Sequence, residues 1–157
     1  MTARELTNDR RAFRRGILRR AFTLVEILIV VVILGILAAI VIPQFTKASQ
    51  DAMHTATYDD LQKLRRHIGI YQARNGGRLP NITAGIGTWG EIVGQDSEYL
   101  KWAPTNQWVG GSNSMVIEFG TAADSGWNNT RGWIYDPATG HVYASSFDVN
   151  DQPISRP

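Results

Sequence analysis

Residues 19–45 read RRAFTLVEILIVVVILGILAAIVIPQF, and the fold is decided by where this stretch is housed. From Phe22 to Phe45 only Glu26 is formally charged, and Ile27–Ile42 is an unbroken run of apolar residues, alanines and one glycine. At 1.5 Å of rise per residue, roughly 20 such residues span the hydrocarbon core of a bilayer, so the run is long enough for a membrane helix when its ends are counted. Arg14, Arg15, Arg19 and Arg20 crowd its N-terminal flank, whereas Lys47 stands nearly alone beyond it. The positive-inside rule then leaves the N-terminus in the cytoplasm and exports residues 46–157. An ordinary secretory signal peptide fits less well. Its apolar core is about 7 to 15 residues and ends in a small-x-small cleavage site, whereas this run ends in IVIPQFTKASQ.

The overall formal charge of +2 hides an asymmetry. Residues 1–21 hold seven arginines against Glu5 and Asp9, a net of +5 that leaves −3 for the remainder. With the basic charge gathered before the apolar run, the folded part offers no electrostatic footprint for nucleic acid. The chain has no cysteine, which excludes disulfides, thiol chemistry and cysteine-based zinc sites, so the exported part must be held by packing.

Beyond Pro43 the helical pattern continues. Thr57, Leu61, Leu64, Ile68 and Tyr71 recur at steps of four, three, four and three, with Asp59, Asp60, Lys63, Arg65 and Arg66 off that stripe. ARNGG then ends it, so Phe22–Arg74 is predicted as one helix. Pro43 has no N–H and is predicted to kink that helix near residue 39, whose carbonyl loses its partner. At the start, TLVE (Thr23–Glu26) matches a capping box, worth about 0.3–1 kcal/mol for a carboxylate in the first turn. Holding a carboxylate within a bilayer costs about 2.5–3.5 kcal/mol, which outweighs the cap and calls for a partner.

The same residues carry a resemblance. The arginine pair, Phe22, Glu26, Gly35 and Pro43 together resemble the N-terminal class III signal of type IV pilins and of type II secretion pseudopilins, over residues 19–45. That likeness implies that a prepilin peptidase removes a basic leader, residues 1–21, by cutting between Ala21 and Phe22 on the cytoplasmic face. It further implies that Phe22 is then N-methylated and that Glu26 serves assembly. The family usually has glycine where this chain has Ala21, also a small residue. IYQARNGGRLPN and GWIYDPATGHVYAS are similar to segments of the major pseudopilins. Where many of those carry an Asp-Pro-Trp-Gly turn and an Asp-rich calcium loop, this chain has APTNQWVGG, which counts against a calcium site.

Residues 75–157 are rich in glycine, asparagine and tryptophan. MVIEFG (115–120), GWIYD (132–136) and HVYASSF (141–147) read as strands, DPATG as a hairpin loop, and WGEIVG as a short helical turn. A small antiparallel sheet covered by the Leu61–Tyr71 stripe follows, an α+β head on the second half of the helix.

Chemistry is absent from this pattern. His54, His67 and His141 lack metal-ligand spacing, and neither a nucleophile elbow nor a phosphate loop is present. DSGWNN (124–129) has the oxygen spacing of half a calcium loop, but Tyr135 stands where the closing glutamate belongs, so a turn is expected and no metal. Trp89, Trp102, Trp108, Trp127 and Trp133 are expected to fill the core, with a sugar-stacking face as the rival use.

These readings converge on a non-enzymatic filament subunit without cofactor. Its parts are a leader (1–21), a membrane and filament-core helix (22–45) and a periplasmic head (46–157). The resemblance implies as partners the peptidase, an inner-membrane assembly platform, minor pilins and further copies of the chain. A type II secretion pseudopilus is the expected setting. A type IV pilus is the alternative, and a monomeric tethered carbohydrate-binding module the rival from another class.

Overall fold

The computed structural model describes residues 22–157; the leader, including Ala21, lies outside the described residues. Helix α1 runs Leu24–Arg74. It begins two residues later than the apolar pattern predicts, because Thr23 is its cap. The Thr23 hydroxyl accepts the Glu26 N–H at 3.1 Å, and the Thr23 carbonyl accepts the Ile27 N–H at 3.2 Å. The chain divides into two compact units, one through Val41 and one from Ile42 onward.

In the second unit the helical stripe does what its spacing demands. Thr57, Leu61, Leu64, Ile68 and Tyr71 are the buried residues of α1. Leu61, Leu64, Ile68 and Tyr71 pack with Trp89, Ile92, Ile117, Trp133, Tyr135, Val142 and Phe147 in one core. The sheet has strands β1 (Gly85–Ile86), β2 (Val116–Phe119), β3 (Trp133–Tyr135) and β4 (Val142–Ala144), in that spatial order. Short 3₁₀ turns at Gly90–Ile92 and Gly111–Met115 lie between β1 and β2, the first within the predicted WGEIVG turn. The expected hairpin is present. β3 and β4 pair antiparallel, and the Asp136 carboxylate holds the turn by accepting from the Ala138 N–H at 2.9 Å and the Thr139 hydroxyl at 2.7 Å.

The expected all-antiparallel sheet requires a correction: β2 and β3 run parallel, so the sheet is mixed. A parallel pair needs a crossover of a dozen or more residues, and residues 120–132 supply it without a helix. The chain returns to the start of β2, where the Gly132 N–H donates to the Val116 carbonyl at 2.9 Å. A side chain at Gly132 would meet the Ser114 carbonyl oxygen at 2.1 Å, so the approach is open only to glycine.

Asn106, fully buried, ties the elements together. Its amide donates to the carbonyls of Gly132 (2.8 Å) and Ser145 (2.9 Å), and its oxygen accepts from the Val109 N–H (3.0 Å) and the Thr57 hydroxyl (3.4 Å). The Thr57 oxygen in turn accepts the Trp108 N–H at 3.0 Å. One amide thus links α1, the APTNQWVGG loop and both flanks of the hairpin.

Candidate assembly surface

The first unit, over its described residues, is all surface. Every large apolar side chain from Leu24 to Val41 is exposed, from 42% at Val41 to 81% at Leu24. This is the segment long and apolar enough to cross a membrane. Burying one such side chain is worth about 1.5–3 kcal/mol, so more than a dozen of them together exceed the roughly 5–15 kcal/mol that holds a whole domain folded. No rearrangement of the head could offset that exposure in water. The surface must be covered by lipid or by other helices.

Three of the positions singled out in the sequence fall among the described residues. Phe22 is 74% exposed and precedes the cap. Glu26 sits in the first turn, exposed, its backbone N–H satisfied by Thr23. Pro43 lies inside α1, and three residues on the Thr46 hydroxyl donates to the Ile42 carbonyl at 3.2 Å. Gly35 faces open space: among the described residues nothing lies within 4 Å of where its side chain would be. Helix propensity disfavours glycine there by about 1 kcal/mol, and no contact among the described residues offsets that. A neighbouring helix would, since Gly35 and Ala39 stand one turn apart in the small-xxx-small spacing that lets backbones approach.

Among the described residues no group of three or more His, Asp or Glu side chains is placed to hold a metal ion. The three histidines have separate surroundings: His54 against Phe147, His67 against Tyr99, His141 against Tyr143. At DSGWNN the turn reading is the better one. Both oxygens of Asp124 are engaged internally, by Arg131 at 2.5 Å on one side and by the Ser145 hydroxyl and Ser146 N–H, each at 2.8 Å, on the other. Arg131 also pairs with Glu118, so a guanidinium supplies the positive charge this loop needs. Tyr135 is buried in β3.

The tryptophans serve the core. Trp89, Trp108 and Trp133 are buried, Trp127 packs against the same cluster, and only Trp102, 75% exposed, remains outside it. A sugar-binding face would need several of these rings at the surface. Sequence reasoning passed over Asn106 and the bidentate pair of Arg65 with Asp151, at 2.5 and 2.9 Å. Neither belongs to a periodic pattern that could have flagged it.

Residues 18–42 match the family described as the prokaryotic N-terminal methylation motif. Type II secretion system core protein G of Dickeya chrysanthemi is 35% identical over 69 residues, 44% of each chain. The Pseudomonas aeruginosa protein of that name is 43% identical over 54 residues, 34% of this chain and 38% of its own. The Klebsiella pneumoniae one is 35% identical over 68 residues, 43% of this chain and 48% of its own. The chain therefore spans less than half the length of these curated relatives. No solved structure matches. An apolar N-terminal helix together with relatives of this kind fits a subunit anchored in an inner membrane. The chain thus carries a prokaryotic N-terminal methylation motif and is similar, over less than half its length, to type II secretion system core protein G.

Proposed function

We propose that this protein is a structural subunit of a helical filament built from the inner membrane, the pseudopilus of a type II secretion system. The observation that carries the reading is the apolar half of α1: fully exposed, interrupted by one carboxylate, and joined to a head that has its own core. In the membrane, lipid covers residues 22–45, with the N-terminus cytoplasmic and residues 46–157 periplasmic. In the filament, neighbouring helices replace lipid, and Gly35, Ala38 and Ala39 permit close approach. Prepilin peptidase cuts between Ala21 and Phe22, Phe22 is methylated, and its new amine is the cation that meets Glu26 of a neighbouring subunit. Until the cut, an amide stands in place of the amine, so the leader holds subunits back from assembly. Pro43, which has no N–H to donate, is the position at which the helix kinks. The work is mechanical rather than catalytic, with an assembly platform and minor pilins as further partners.

The test is Glu26→Leu. The variant inserts and is processed, because a polar group has been removed from lipid, yet the yield of sheared filaments falls by about tenfold or more. Normal filaments from Glu26→Leu would leave the cap as the whole account of Glu26. The methylation motif fits a type IV pilin equally. Restoration of secretion in a strain lacking core protein G supports the pseudopilus, and restoration of motility or DNA uptake in a pilin-deficient strain would replace it.

A further inference from the structure

In the head, the face of α1 opposite the buried stripe is not an ordinary solvated surface. It presents Thr55, Asp59, Arg66, Ile70 and Ala73, all exposed, with Gln62 partly so. Seven residues make nearly two turns, so Asp59 and Arg66 lie within about 20° of one another around the helix, separated by roughly 10 Å along it. They are too far apart to pair within one chain. Arg65, Arg74 and Arg131 each have a carboxylate partner. Arg66 has none among the described residues, and the positions one turn away are Gln62, Lys63, Gly69 and Ile70. Around Asp59 the one base within a turn is Lys63, whose amine is held by Asp60 at 2.9 Å. Small residues and the partly exposed Ile70 let another helix approach this face.

We propose that this face is a contact between copies of the chain, in which Asp59 of one copy pairs with Arg66 of a copy displaced by seven residues along the helix. The proposal rests on the filament reading above and specifies its register. Charge complementarity identifies the occupant. Two chains anchored by the same N-terminal helix run parallel, and a parallel copy shifted by seven residues sets acid opposite base while bringing no like charges together on that face. The contact is head-to-tail: each copy offers Asp59 to one neighbour and Arg66 to another, so it propagates rather than closes. An exposed ion pair contributes little affinity, so its role is to select the register.

The test uses the full chain in membranes with its peptidase and assembly machinery. Arg66→Asp and Asp59→Arg each lower sheared-filament yield about tenfold, and the combined Asp59→Arg/Arg66→Asp chain recovers to within about threefold of wild type. Normal yield from either single reversal, or no recovery in the double, overturns the pairing while wild-type filaments leave the filament reading standing. If the wild-type chain forms no filaments, both fall. Should a reversal unfold the head, cysteines decide. The chain has none of its own, and residues 59 and 66 of one copy are beyond disulfide reach. Asp59→Cys/Arg66→Cys should then give a ladder of multimers on oxidation, with each single variant remaining monomeric. A closed dimer without a ladder, or monomers alone, overturns the register.

Discussion

The two halves of α1 share a backbone and differ in where their apolar residues find cover. From Thr57 to Tyr71 five residues at alternating steps of four and three are buried, and the residues between them meet water. From Leu24 to Val41 apolar residues surround the helix on all sides and none is buried. The first arrangement is solved within the chain, by a small mixed sheet. The second has no solution among the described residues, and this incompleteness is the ground on which the molecule is read as a subunit. A stripe calls for one covering layer; an apolar surface all round calls for a solvent or a set of neighbours.

The sharpest break of this comparison is at the polar node that locks the stripe to the sheet. Asn106→Leu would leave the Ser145 carbonyl, the Val109 N–H and the Thr57 hydroxyl without this partner, while the Gly132 carbonyl keeps the Ser145 N–H. At about 1–3 kcal/mol for each orphaned group, the head should lose about 3 kcal/mol or more, a large part of a small domain's stability. Denaturant unfolding of the detergent-solubilised protein, followed by tryptophan fluorescence, reads this loss. A change below about 1 kcal/mol would show that the node is not what holds the APTNQWVGG loop to the helix.

The next effect compares the halves directly. Leu64→Ala deletes buried methyl groups and should destabilise the head by about 2–5 kcal/mol. Leu34→Ala, the same chemical change on the exposed half, should leave head unfolding unaltered and weaken association between copies instead. Equal shifts in head unfolding from both would mean that the apolar half contributes to the head's own stability.

Legibility from the sequence follows the same division. The stripe was readable because burial on one side imposes a period, and Thr57 belongs to it although its hydroxyl serves the Asn106 node. The β3–β4 hairpin was readable because DPATG is a local signal, with an aspartate that bonds its own turn. Thr23 and Glu26 announced the cap for the same local reason. The parallel pairing of β2 and β3 was not readable, since it depends on where the thirteen residues 120–132 lead the chain, and no residue in that loop encodes the direction. β1, two residues long, has no period to detect. Asn106 was invisible because its value lies in two distant carbonyls and a distant hydroxyl that meet it only after folding. The assembly half inverts this difficulty. Its motif is local and specific, while its partners are other molecules.

The smallest predicted effect concerns pH, and it too separates the halves. His67 is partly buried on α1, its ring 6.1 Å from that of Tyr99, and burial holds its pKa below the ordinary imidazole value, with the charge of Arg66 as a second cause. In the unfolded chain it titrates near the usual value of about 6.5. The unfolded state therefore takes up the proton first. Stability is full above that value and declines as pH falls from about 6.5 toward the lower pKa of the folded head. Thermal unfolding at pH 7.5 and at pH 5.5 should show the decline in the wild-type chain and a smaller one in His67→Gln. His54 and His141 are common to both proteins, so the difference isolates His67. Arg66→Gln should flatten the dependence only in part, because it removes the lesser cause and leaves the burial. Identical profiles for wild type and His67→Gln would show that the ring takes up its proton as freely in the folded head as in the unfolded chain.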